Sequence, residues 1–244
     1  MNTSALSNAS RRRLLLAATA APLVPFLAAC AGAPGTRDGP PAPAPTLRVG
    51  DRWVYSGRDG FRDPLVWEET REVVAIAPGA IDIRVTWKGN RVDSTRVERW
   101  TLPGDLAVGA VFDIETRRFT PPLPRSKYPL APGDSWSLFA KQVNETTRRD
   151  DPINYYVKVA GWKTVATPAG SFDAIGLRIM MRLDDEEFWR TATEANYLFW
   201  YAPAVGNTVL EEKEAQYYDK GDPMSRATYR SQHGTLELVS VRRG

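Results

Sequence analysis

Between Ile81 and Lys88 apolar and polar side chains alternate without a break. Ile81, Ile83, Val85 and Trp87 share one face, and Asp82, Arg84, Thr86 and Lys88 share the other. A period of two belongs to an extended strand with one buried and one wet face, the pattern of antiparallel sheets. Leu177, Ile179, Met181 and Leu183 repeat it, with Met180 the exception on the polar face. Tyr155, Val157 and Val159 alternate in the same way with Tyr156, Lys158 and Ala160. Turn chemistry separates these runs at Pro78-Gly79, Lys88-Gly89-Asn90, Pro103-Gly104-Asp105, Pro132-Gly133-Asp134, Pro168-Ala169-Gly170 and Gly221-Asp222-Pro223.

Alternating strands punctuated in this way predict an all-β protein with minor α content, built as a long curved antiparallel sheet in the form of a half-barrel or open barrel. Two short stretches are helical candidates. Asp184–Asn196 starts with acids and sets Phe188, Ala192 and Ala195 on one side, and Glu211–Tyr218 is equally ambiguous. The chain also echoes itself. Leu47-Arg48-Val49-Gly50-Asp51-Arg52-Trp53 and Leu130-Ala131-Pro132-Gly133-Asp134-Ser135-Trp136 both read Leu-x-x-Gly-Asp-x-Trp. Ala77-Pro78-Gly79-Ala80-Ile81-Asp82-Ile83 likewise resembles Pro168–Ile175. Two similar meanders would produce such an echo, and so would ordinary Gly-Asp turns ahead of unrelated strands.

The stretch Val165-Ala166-Thr167-Pro168-Ala169-Gly170-Ser171-Phe172-Asp173-Ala174 resembles a strand-turn-strand unit of many uncharacterised bacterial secreted proteins. In those proteins a Trp-Tyr-Ala-Pro-x-Val-Gly segment follows about thirty residues on, and here Trp200–Gly206 matches it. The resemblance covers roughly 130–215. It implies a fold similar to the lipoprotein-carrier half-barrels, a curved sheet with an apolar concave side. It implies no activity, since fold alone is a weak warrant for function.

The N-terminus reads as an export signal. Arg11, Arg12 and Arg13 precede an apolar run from Leu14 to Ala29, which is broken by Pro22 and Pro25. That run is shorter than the ~20 residues of a membrane span and has the order of a signal peptide. It ends in Leu27-Ala28-Ala29-Cys30, which resembles the bacterial lipobox. The resemblance implies cleavage after residue 29, lipidation of Cys30 and acylation of its new amino group. Ser10–Leu15 is also similar to the twin-arginine motif, so twin-arginine and general secretory export both remain open. Ala31 is not the Asp that retains lipoproteins in the inner membrane of enteric bacteria, which by analogy favours the outer membrane, facing the periplasm. Residues 31–46 contain Pro34, Pro40, Pro41, Pro43 and Pro45 with Gly32, Gly35 and Gly39, the composition of a semi-extended tether. The organisation is therefore a signal peptide over 1–29, a lipidated Cys and tether over 30–46, and a β-rich domain over 47–244.

Composition narrows the chemistry. At 43% hydrophobic and 25% charged residues the chain is globular rather than disordered. The 32 Lys and Arg include the three arginines of the signal, so the 29 that remain equal the 29 Asp and Glu, and the formal +3 says nothing about an acidic partner. One Cys and one His leave no zinc ligand set, and no glycine pattern suits a nucleotide cofactor. We therefore assign no catalytic residue, no metal, no cofactor and no nucleic acid. His233, in Ser231–Gly234, reads as a solvated turn residue, and Asp184-Asp185-Glu186-Glu187 and Asp150-Asp151 read as charged turns. Of eight tryptophans and nine tyrosines, Trp53, Trp87, Trp136 and Trp162 fit strand cores. Phe199-Trp200-Tyr201 is a continuous aromatic run that either lines a ligand groove or forms a strand buried on both faces.

The sequence thus points to a non-enzymatic, lipid-anchored protein of the bacterial envelope. Its partners would be the membrane, through the anchor, and an apolar or lipidic ligand or an envelope protein on the curved sheet. The second reading is a protein that binds or acts on cell-wall glycan through aromatics and carboxylates, for which two carboxylates about 5–9 Å apart at a cleft would be needed. Cys30→Ser is expected to abolish incorporation of labelled palmitate in growing cells, and continued labelling would remove the lipidation assignment.

Overall fold

The computed structural model describes residues 35–112, 114–221 and 228–244. Cys30 and the signal segment lie outside these residues. Twelve strands follow one another: β1 (Arg52–Asp59), β2 (Leu65–Ala77), β3 (Ala80–Gly89), β4 (Asp93–Leu102), β5 (Asp105–Gly109), β6 (Arg117–Pro124), β7 (Ser135–Asn144), β8 (Asp150–Thr167), β9 (Gly170–Leu183), β10 (Thr193–Ala202), β11 (Asn207–Tyr218) and β12 (Thr228–Arg242). Each pairs antiparallel with its neighbours in sequence, and β1 pairs with β12, so the sheet closes into a barrel. The all-β, antiparallel expectation is met, but the sheet is closed rather than open. Closure removes the free edges that an open sheet must protect.

No helix occurs among the described residues. Asp184–Asn196 is a loop that turns into β10, with Phe188 91% exposed. Glu211–Tyr218 belongs to β11. There the inward positions include Glu211 and Lys213 beside Ala215, so a buried face is written partly in charges and its period of two is hidden. His233 lies within β12 rather than in a turn, stacked on Phe61 at 4.0 Å with its Nδ1 3.1 Å from Glu214.

The register fixes which side chains face the lumen. Trp53 and Tyr55 of β1 sit opposite Arg71 and Glu69 of β2, which lead across β3 to Val85 and Trp87. On the other side Tyr155, Met181, Ala195 and Ala215 form one inward row across β8 to β11. The outward faces of β2 and β3 carry Glu68, Thr70 and Glu72 and Asp82, Arg84 and Lys88, the reverse of the apolar band of a membrane-spanning barrel.

The Pro-rich stretch is more than a spacer. Arg37 N donates to Trp162 O at 2.9 Å and Trp162 N donates back to Arg37 O at 2.8 Å. Ala42 and Leu130 exchange the same pair of bonds at 2.8 and 2.9 Å, and Ala42 is fully buried. Trp162 Nε1 donates to Pro40 O, and the Tyr201 hydroxyl donates to Pro43 O. Gly39 lies under the Trp162 indole so closely that a Cβ there would come within 2.5 Å of the ring. Residues 36–43 are therefore a strap seated on the barrel.

The two Leu-x-x-Gly-Asp-x-Trp segments adopt the same turn. Gly50 and Gly133 have φ of 92° and 90°, and the Asp N–H donates back three residues at 3.1 Å in both. Gly50 N reaches Val73 O as Gly133 N reaches Val159 O. One turn opens β1 and the other opens β7, six strands apart, and the related Pro-Gly turns join β2 to β3 and β8 to β9. The halves differ at the acid. Asp51 is buried and accepts from Arg48 N, Gly244 N and Arg243 Nη1 at 2.9, 3.0 and 3.2 Å, whereas Asp134 is exposed. Asp51→Ala is expected to cost roughly 1–3 kcal/mol by leaving buried donors unmatched. Asp134→Ala should stay within about 0.5 kcal/mol. Urea unfolding of both variants checks this difference.

Candidate functional site

Two regions of the barrel combine polar chemistry with space: the lumen and a groove on the outer wall. In the lumen, β2, β4 (Arg96, Glu98) and β11 turn charged side chains inward because these positions share parity with the core. Arg71 bridges Glu69 at 2.6 Å and Glu211 at 2.7 Å, Lys213 holds the other Glu211 oxygen at 2.8 Å, and Arg96 pairs with Glu98 at 3.1 Å. Burial opposes ionisation of Glu211, but Arg71 and Lys213 outweigh it and hold the carboxyl well below the usual range. Glu69 is lowered for the same reason, with Arg71 the main opposing charge to its burial. Arg71 also lies 4.7 Å from the Tyr55 ring, whose hydroxyl burial pushes well up.

Two small cavities remain beside this network. The larger, about 80 Å³, touches Trp53, Arg71, Trp100, Arg125, Phe199 and Tyr201 among others. The smaller, about 30 Å³, lies between Glu69, Arg96, Arg125, Tyr155 and Lys213. Both exceed the volume of a single water molecule's site. Neither has room for an acyl chain, so the concave side that the sequence marked as apolar is filled by its own side chains.

The outer groove crosses β7 to β11 and encloses about 630 Å³. One row along it is Ser137, Tyr156, Met180, Asn196 and Glu214, and the other is Phe139, Asn154, Arg182, Glu194 and Gln216. The residues between the rows, such as Tyr155 and Met181, point into the barrel, so their backbone forms the floor. Phe139 is 69% exposed and Met180 44% exposed, both on a wall that is otherwise polar. The sequence carried a trace of this site in Met180, which breaks the alternation. Nothing distinguished Phe139 from a core residue, because Leu138 beside it is apolar as well.

Of the aromatic run, Phe199 and Tyr201 face the larger lumen cavity. Trp200 points outward and is nonetheless buried. It lies over Gly176, where a Cβ would come within 3.1 Å of the indole, and Lys163 sits 5.4 Å from its ring. The long β8–β9 hairpin curls past it far enough for Ala169 N to reach Leu238 O at 3.1 Å. The run is therefore a strand segment buried on both faces, two of whose rings border a cavity.

The acidic runs are ion-paired. Asp185 is buried, accepts from Thr193 N and Oγ1 at 2.8 Å each, and bridges Arg190 at 3.0 Å. Glu186 pairs with Lys220 and Glu187 with Arg149. Asp150 pairs with Lys141 and Asp151 with Arg149. Among the described residues no three His, Cys, Asp or Glu side chains gather as metal ligands.

No protein-family model and no curated protein matches the chain. Two solved structures are similar in overall shape. One, from Bacteroides fragilis NCTC 9343, is described as an exported protein with a YmcC-like fold. It is 13% identical, with a TM-score of 0.46, and the match covers 84% of this chain and 100% of that one. The other, from Parabacteroides distasonis ATCC 8503, is described as a lipoprotein. It is also 13% identical, with a TM-score of 0.44 and the same coverage.

The lumen network sets an acid limit. A carboxyl whose folded pKa is depressed stabilises the fold above its unfolded value, 4.5 for Glu, and loses that contribution as pH falls through the folded value. The melting temperature is expected to hold steady between about pH 7 and 5 and to fall below about 4.5. Glu211→Gln should cost about 3 kcal/mol at neutral pH by taking from Lys213 its carboxylate and from Arg71 one of its two. It should also flatten the acid decline, and thermal melts across pH on both proteins test this.

Proposed function

We propose that this is a non-enzymatic protein of the bacterial envelope, lipid-anchored at Cys30, and that the groove across β7 to β11 binds an apolar or lipidic ligand. The anchor rests on the order of basic residues, apolar run and Leu-Ala-Ala-Cys in the sequence. The ligand site rests on one observation: a groove of about 630 Å³ on a charged outer wall that exposes Phe139 and Met180. Its volume is in the range of small-molecule sites, ~300–1,000 Å³, and polar walls that expose two apolar side chains suit an amphipathic ligand. The non-enzymatic reading is supported by the pairing of the acidic runs and by the setting of His233, stacked on Phe61. The outer membrane, facing the periplasm, is the location that Ala31 favours.

Native mass spectrometry of the gently purified protein tests the groove. Lipid-mass adducts, or uptake of lysophosphatidylethanolamine on titration, are expected for the wild type and not for a variant carrying Phe139→Asp and Met180→Asp. A wild-type protein that carries no lipid and takes none up rejects the ligand assignment.

A further inference from the structure

The two lumen cavities are bordered by four cations, Arg71, Arg96, Arg125 and Lys213, and by three carboxylates, Glu69, Glu98 and Glu211. Arg71, Lys213 and Arg96 use all three carboxylates. The Arg125 backbone N donates to Leu123 O at 2.9 Å, but its guanidinium makes no hydrogen bond or ion pair among the described residues. Its guanidinium lies over two rings instead, 5.3 Å from Trp100 and 5.2 Å from Phe199. Ring faces do not neutralise a cation, and Glu211, whose carboxyl Arg125 also helps to hold ionised, is already bridged by Arg71 and Lys213.

Two more donors beside Arg125 are also unmatched. The Tyr155 hydroxyl, on a residue only 3% exposed, and the Trp100 Nε1 have no partner. Tyr155 borders the smaller cavity, Trp100 the larger, and Arg125 both. Arg125, half-buried, thus stands between the two cavities with one unmatched donor on each. Buried donors such as the Tyr155 hydroxyl and the Trp100 Nε1 rarely stay idle unless something accepts from them.

We infer that the barrel lumen is a binding site for a small organic monocarboxylate, held by Arg125 with Tyr155 and Trp100 as further donors. The surplus is one positive charge, which a monoanion balances and a phosphate dianion overshoots. The planar fork of Arg matches a carboxylate in two bonds. Trp53, Ile81, Ile83 and Leu47 around the larger cavity would pack against a short apolar body. The cavity borders Pro45, Gly104, Ser126 and Asn207, which lie at the barrel end crossed by the strap, so entry is from that end. This site is separate from the outer groove, and neither reading depends on the other.

The probe is propionate, titrated into the full-length protein in mild detergent and followed by saturation-transfer NMR, with inorganic phosphate followed by ³¹P line broadening. Saturable propionate binding is expected, weakened at least ~10-fold by Arg125→Gln and several-fold by Tyr155→Phe. Tyr155→Phe removes only a hydroxyl that makes no hydrogen bond, so its fold is retained and it carries the test if Arg125→Gln does not fold. Absence of saturable binding, or unchanged binding in either folded variant, overturns the site. Phosphate binding tighter than propionate overturns the ligand class.

Discussion

The ladder between β1 and β12 is the constraint on which the rest of the molecule depends. Until Trp53 finds Val241 and Gly57 finds Leu236, the other strands form an open sheet with two bare edges. Once they pair, inside and outside are fixed for every residue by parity. A barrel of twelve strands is wider than the eight-stranded kind that aliphatic side chains alone can fill. This chain fills the extra width with tryptophan and tyrosine rings and with long charged side chains that neutralise one another. Fit is tight where rings meet backbone: a Cβ on Gly57 would lie 2.2 Å from the Trp67 ring.

How much of this can be read in the sequence depends on how strictly a strand obeys its period. β3 alternates cleanly and β9 does so from Leu177 to Leu183 but for Met180, and their faces in the barrel are those the sequence predicts. Five of the six Gly and Pro turns fall between strands, at a strand end or just ahead of a strand, because their backbone demands are local, and the sixth, Gly221-Asp222-Pro223, extends outside the described residues. β11 is less legible, since Glu211 and Lys213 mark as wet a face that is dry, and only contacts with distant β2 make that placement tolerable. Closure is illegible for a related reason, as no local pattern records that β1 and β12 are neighbours. The groove is harder still. It is assembled from single outward residues on five strands, none of which departs from ordinary surface composition except Phe139 and Met180. The Pro-rich segment shows the limit of composition, because its residues signal extension correctly but not what the extended chain lies on.

The two faces of the sheet divide the chemistry between them. The lumen is small and charge-balanced but for Arg125, and its contents are set by side chains that also hold the fold together. The outer groove spends no core residue, so its walls are free to vary without disturbing the barrel.

The strap also sets a mechanical order. Tension applied from the N-terminal side meets the bridge at Trp162 first, then the bridge at Leu130, and only then the turn where Asp51 ties Gly244 to the start of β1. The seam that closes the barrel is therefore the last element in series to feel the load. Two sacrificial clamps must open before the β1–β12 ladder can begin to unzip.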